Sequence, residues 1–186
     1  MARIRVIDFE EADGRLKNIY DELIQKRGKL AEVHKIQSLR PESILRHMEL
    51  YLEIMFSKSP LSRAEREMMA VVVSSANGCN YCQQHHGQAL LHYWKDENRV
   101  NRLSKDYKSL NLNEREIALC HYAEELTLNP QKFEESDATP DLREAGLDDT
   151  AILDATLVVS YFNFVNRMVL SLGVPLEDDE GSGYKY

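Results

Sequence analysis

Apolar residues recur along this chain three and four positions apart, and convincing strict alternation is absent, so the pattern predicts an all-α protein. A first helix is expected from about Glu10 to Lys26, with Leu16, Ile19, Tyr20, Leu23 and Ile24 on one face and Arg27-Gly28 closing it. A second follows Pro41, carries Ile44, Leu45, Met48, Tyr51, Leu52 and Met55, and ends near Ser57 to Pro60. Ser62 and Glu65 form a capping-box signature opening a third helix that reaches about Asn77. Asn77-Gly78 tolerates positive φ, so the chain can reverse there into a fourth helix from Cys79 to about Trp94. Asn113 with Glu116 opens a helix to about Leu128, and Thr139-Pro140 a short helical turn to Ala145-Gly146. Asp148 caps a long apolar helix that ends at Gly173, with Pro175 beyond it.

Residues 1–176 read as a single helical unit, and the tail 177–186, rich in acid, Gly and Tyr, as loose or as a contact arm. Segments 71–80 and 157–166 echo each other at a constant offset of 86 residues. They are either two related helical halves, the second with Val165 and Met168 where the first has Cys79 and Cys82, or a chance likeness of apolar helices.

A chain of 186 residues is long enough for one domain with a substantial core. Its net charge of −8, from 23 basic and 31 acidic residues, argues against nucleic acid or an anionic membrane as partner. Behind Arg3 and Arg5 no apolar signal core follows, and the apolar run 151–172 is broken by Asp154, Asn163, Asn166 and Arg167. The expectation is a cytoplasmic protein whose long apolar helix is buried core and not a membrane span. Cys120 sits alone in an apolar helical face and is expected to be a small buried hydrophobe.

The other two cysteines change the picture. Cys79, Cys82 and His86 stand at i, i+3 and i+7, on one face of a helix, and the two thiols are near enough to join. A thiolate beside a base and a second thiol is what peroxide reduction needs: attack gives a sulfenic acid, which the second thiol condenses to a disulfide. If the chain reverses at Asn77-Gly78, Glu67 lies roughly 15 Å back along one helix and His86 roughly 10 Å along the next, so the two come within about one turn of each other. A carboxylate there can orient the imidazole and relay its proton. The other open reading is zinc on Cys79, Cys82 and His86 with Glu67 or His85 as fourth ligand, or a redox-sensing helical oligomer without turnover. His85 is turned about 100° from His86 around the helix, which makes it a surface or interface residue. Arg63, Glu65 and Arg66 read as a solvated helix face, and Tyr161-Phe162-Asn163-Phe164 as core or subunit interface.

A Glu, then twelve residues later Cys-x-x-Cys, then a His four residues after the second Cys resembles the alkylhydroperoxidase D-like (AhpD-like) group of the carboxymuconolactone decarboxylase superfamily. Glu67, Cys79, Cys82 and His86 fit that spacing, and the stretch from Ala145 to Val174 is similar to the peroxidase-related branch. The resemblance, over about Pro41 to Leu176, implies an all-helical bundle assembled as a trimer or hexamer. It implies hydroperoxide reduction with a thiol or dithiol reductant and no cofactor or metal. By that analogy Cys82 attacks, Cys79 resolves, His86 is the base and Glu67 completes the relay. Position on the helix alone favours Cys79 as the attacking thiol, because it lies nearer the helix start. Tyr81 departs from the pattern, standing where some peroxidases of the group have a second histidine. Branches that decarboxylate a lactone lack the cysteine pair.

Overall fold

The computed structural model describes residues 2–177. Among them are nine α-helices, two 3-10 turns and no strand. The first predicted helix starts later than its apolar pattern suggests: α1 is Gly14–Arg27, because Phe9 to Glu11 form a turn first, and Gly28 closes it at φ +89°. A single turn, α2 (Glu32–Lys35), too short to leave a periodic signal, leads to α3 (Pro41–Phe56), where proline occupies the first turn, whose amide would be unbonded anyway. Both halves of the Ser62/Glu65 capping box form at the start of α4 (Arg63–Ala76), and α5 (Asn80–Trp94) returns antiparallel to it.

Helix α6 (Glu97–Lys105) was not legible from periodicity because only Val100 and Leu103 are buried in a polar segment, although Asp96 caps it by accepting from the Arg99 amide. The predicted Asn113/Glu116 box opens α7 (Glu114–Leu128), α8 is Thr139–Glu144, and α9 (Asp149–Leu172), capped by Asp148, closes at Gly173.

Helix α4 is the axis of the bundle, in contact with α3, α5, α6, α7 and α9. Met68 to Val73 are all buried, an apolar run that is covered on every side instead of on one stripe. At roughly 1.5–3 kcal/mol for each large side chain removed from water, burial of this run holds α4 in place. Helices α1 and α3 share a smaller cluster, Leu16, Ile19, Tyr20, Leu23, Ile44 and Met48, which Tyr51 joins to the main core. The charges of α4 are not a solvated face. Arg66 is buried, donating to the carbonyls of Ile54 and Ser57, and Glu65 is bonded to Arg115.

Helix α9 is long and apolar enough to cross a membrane by composition, and about half of its most apolar stretch is buried within the bundle. The echoed segments lie side by side, with Asn77 donating to Asn163 at 3.0 Å. They differ where α4 ends: Gly78 reverses the chain at φ +67°, whereas α9 continues through Phe164 at the matching position. Of the predicted tail, residues 178–186 lie outside the described residues, and Glu177 is held against α5.

Candidate functional site

The turn between α4 and α5 builds the site. Gly78 takes the left-handed conformation, and the Cys79 amide donates back to the Ser74 carbonyl at 2.8 Å. Asn77 ties the turn down by donating to Val73 O (3.1 Å), Asn163 Oδ1 (3.0 Å) and Asn166 Oδ1 (3.1 Å). Cys79 is thereby fixed as the N-cap residue of α5 and Cys82 lies in its first turn, with their sulfurs 2.6 Å apart. Both are buried, at 0% and 3% exposure.

The antiparallel pairing brings Glu67 to His86. The carboxylate is 0% exposed and divides its oxygens: Oε2 accepts from His86 Nδ1 at 2.7 Å, and Oε1 from Arg63 Nη2 at 2.6 Å. A buried carboxylate needs such a cation, and Arg63 supplies it. The guanidinium also donates to the Met55 carbonyl (2.6 Å) and stacks 3.9 Å from the Phe56 ring. Because Glu67 takes the Nδ1 hydrogen, neutral His86 carries its lone pair on Nε2. Its ring is wedged edge-on against Phe162, centroids 4.4 Å apart.

The two sulfurs are hydrogen-bonded to each other. That bond draws the Cys79 thiol below its ordinary range against the effect of burial, while the same contact and then burial push Cys82 up. Asn166 works the other way on Cys82, favouring its thiolate by a hydrogen bond. The lowering at Cys79 comes from its bond to Cys82. Of the two cysteines, Cys82 is the one that lines the adjoining cavity.

That cavity, about 90 Å³, has Cys82 and His86 in its wall beside Tyr51, Tyr161 and Phe162, with His34 and His47 also lining it. Burial holds both of these imidazoles neutral, His34 down to about 3 and His47 to about 4. His85 is not the surface residue its helical angle predicted. It packs on Tyr81 at 4.3 Å and bonds to Glu177 Oε2 at 2.7 Å. Tyr81 donates to the other oxygen of Glu177 (2.8 Å), and the Glu32 amide donates there too (2.9 Å). Burial alone would raise the Glu177 carboxyl, but these donors outweigh it and bring it to about 2.

Of the four residues chosen from the sequence, Glu67 is bonded to His86, Cys79 lies 2.6 Å from Cys82, and His86 and Cys82 line the same cavity. Arg63, Asn166 and Glu177 were missed as parts of the site. Arg63 had a signal in its i, i+4 spacing to Glu67, whereas the other two come from distant helix or loop and had none. For zinc, the proposed fourth ligands are otherwise engaged, Glu67 by two cations or donors and His85 by Glu177. No cluster of three or more His, Cys, Asp or Glu among the described residues is arranged to hold a metal ion.

The molecule is thus an all-helical dithiol protein with a Cys-x-x-Cys pair at a helix start and a Glu–His couple whose histidine lines a cavity walled by aromatic rings. Residues 42–125, which include Arg63, Glu67, Cys79, Cys82 and His86, match the model of the carboxymuconolactone decarboxylase family. Among solved structures, an uncharacterized peroxidase-related protein from Silicibacter sp. TM1040 is 27% identical at a TM-score of 0.84, covering 98% of both chains. A peroxidase-related protein with an alkylhydroperoxidase AhpD core from Ralstonia eutropha JMP134 superposes at 0.85 with 24% identity, over 97% of this chain and 94% of that one. The debrominase Bmp8, in complex with 2,3,4-tribromopyrrole, shares the fold at 17% identity and a TM-score of 0.78, over 97% and 96% of the two chains. The AhpD-like helical bundle expected from the sequence is the fold of this chain.

Proposed function

We propose that this protein is a thiol-dependent hydroperoxide reductase with an antioxidant role, cycling Cys79 and Cys82 between dithiol and disulfide. The observation that carries the reading is the placement of Cys82 on the cavity wall with His86 beside it and Cys79 Sγ at 2.6 Å behind it. His86 Nε2, kept free by the Nδ1 bond to Glu67, takes the thiol proton. The Cys82 thiolate then attacks the terminal oxygen of R–O–O–H; the S–O bond forms, the O–O bond breaks, and the electron pair leaves on RO⁻, which takes the proton back. Cys79 displaces hydroxide from the sulfenic acid, water is lost, and the disulfide forms. A thiol or dithiol donor restores both thiols, so the reaction runs in a reducing compartment such as the cytoplasm. Exposed Leu153, Leu157, Phe164 and Leu170 on α9 support assembly of several copies.

The test is consumption of tert-butyl hydroperoxide by metal-free protein with dithiothreitol, with free thiols counted before and after one turnover. Two thiols are expected to disappear per molecule, and C82S is expected to be inactive. C79S is expected to stop at a sulfenic acid trapped by dimedone. Protein that keeps its thiols under excess hydroperoxide would overturn the reading.

A further inference from the structure

The cavity wall also holds a hydrogen-bond chain that neither the dithiol nor the Glu67–His86 couple uses. Gln37 Nε2 lies 2.9 Å from the Val33 carbonyl and 2.8 Å from His47 Nδ1. A carbonyl only accepts, so the atom facing it is the amide NH₂, and its second hydrogen goes to His47 Nδ1. His47 is buried and neutral, so with Nδ1 accepting, its one hydrogen sits on Nε2. That hydrogen is donated to the Tyr161 hydroxyl, 2.6 Å away. The hydroxyl is thereby used as an acceptor, and its own hydrogen has no acceptor among the described residues.

Tyr161 is buried, 6% exposed, and lines the same cavity as Cys82 and His86. Its ring is fixed on three sides, by His47 at 5.6 Å, Tyr51 at 5.9 Å and Phe162 at 5.1 Å. Next to it His34, edge-on to His47 at 5.7 Å, has a buried Nδ1 without a partner. This part of the cavity wall therefore has more hydrogen-bonding capacity than the protein satisfies, and an unfilled buried donor points to a ligand that supplies the acceptor.

Resting on the hydroperoxide-reductase reading, we propose that Tyr161 is a catalytic residue: its phenol O–H hydrogen-bonds the oxygen that departs as RO⁻ when Cys82 cleaves the peroxide, and Gln37 and His47 are positioning residues that hold it as a donor. The phenol keeps its proton throughout. Charge builds on the departing oxygen only as the O–O bond breaks, so a preorganised donor there acts on the transition state more than on the bound substrate. The proton that finally makes ROH is the one His86 took from the thiol, so the net change is Cys82-SH plus ROOH to Cys82-SOH plus ROH.

Tyr161→Phe keeps the ring and removes the donor. Against tert-butyl hydroperoxide, kcat is expected to fall by roughly a hundredfold, with KM changed little. The rate at which iodoacetamide alkylates Cys82 is expected to stay at the parent value, which a merely disturbed site would not preserve. Gln37→Leu, distant from the sulfurs, frees the His47 tautomer and is expected to lower kcat by about five- to tenfold with the phenol still present. If circular dichroism shows Tyr161→Phe unfolded, Gln37→Leu decides alone. Parent protein that consumes no hydroperoxide sinks the reductase reading and this role together. An active parent with kcat intact in the folded variants, or with the loss confined to KM, overturns the Tyr161 assignment and leaves the reductase reading standing.

Discussion

Replacing Glu67 by glutamine probes the site at its most buried charge. In the parent, each carboxylate oxygen has one donor, Arg63 Nη2 and His86 Nδ1. Glutamine offers one acceptor and one donor, and the guanidinium can only donate, so the amide oxygen stays toward Arg63 and the NH₂ turns to His86. His86 Nδ1 then becomes the acceptor and its hydrogen moves to Nε2. Nε2, the base nitrogen of the proposed reaction, loses its lone pair, and the base is removed without moving the ring. Removal of one positioned general base corresponds to roughly 10²–10⁴ in rate.

Stability falls as well, because Arg63 loses its counter-charge. Breaking a buried ion pair costs about 3–5 kcal/mol. Here Arg63 keeps a neutral hydrogen bond, the Met55 carbonyl and the Phe56 ring, so about 2 kcal/mol is the expected loss. For a domain of this length that lowers Tm by about 4–8 °C. The assay is hydroperoxide turnover at saturating dithiol, beside a thermal melt by circular dichroism. A folded E67Q protein with turnover within about threefold of the parent would refute the tautomer argument, since loss of the base cannot cost so little.

Two further outcomes follow from other contacts. Glu177 ionises at about 2 in the folded chain against an ordinary 4.5, so the unfolded state binds the extra proton between those values. The stabilisation is complete above the unfolded value and disappears as pH falls toward about 2, so Tm of the parent is expected to drop more steeply than that of Glu177→Gln over this window; parallel curves would contradict the anchoring of Glu177. Gly78→Ala introduces a side chain with free space around it but at φ +67°, so the expected loss of about 1–2 kcal/mol is backbone strain, read as a lower urea midpoint at unchanged m. An unchanged midpoint would contradict the left-handed turn.

Helices whose apolar face or cap is written locally were legible along the chain alone. Ser62/Glu65, Asn113/Glu116 and Asp148 each name a helix start because the capping side chain and the amide it satisfies lie within three residues. The meeting of Glu67 with His86 was legible for a related reason: one reversal at Asn77-Gly78 and a constant rise per residue fix the register of two adjacent helices. What arrives from far along the chain was set by helix packing. Asn166 reaches Cys82 from α9, Tyr161 faces His47 across 114 positions, and Glu177 binds Tyr81 and His85 from beyond the last helix. It also reversed the reading of Arg63 and Arg66. A charged side chain on a helix looks solvated in sequence, and becomes buried only when a neighbouring helix ends with carbonyls, or a carboxylate lies one turn away, to satisfy it. Local spacing encodes hydrogen bonds that close within a turn or a hairpin, whereas the cavity and its polar wall depend on how α3, α5 and α9 pack, which no short-range pattern records.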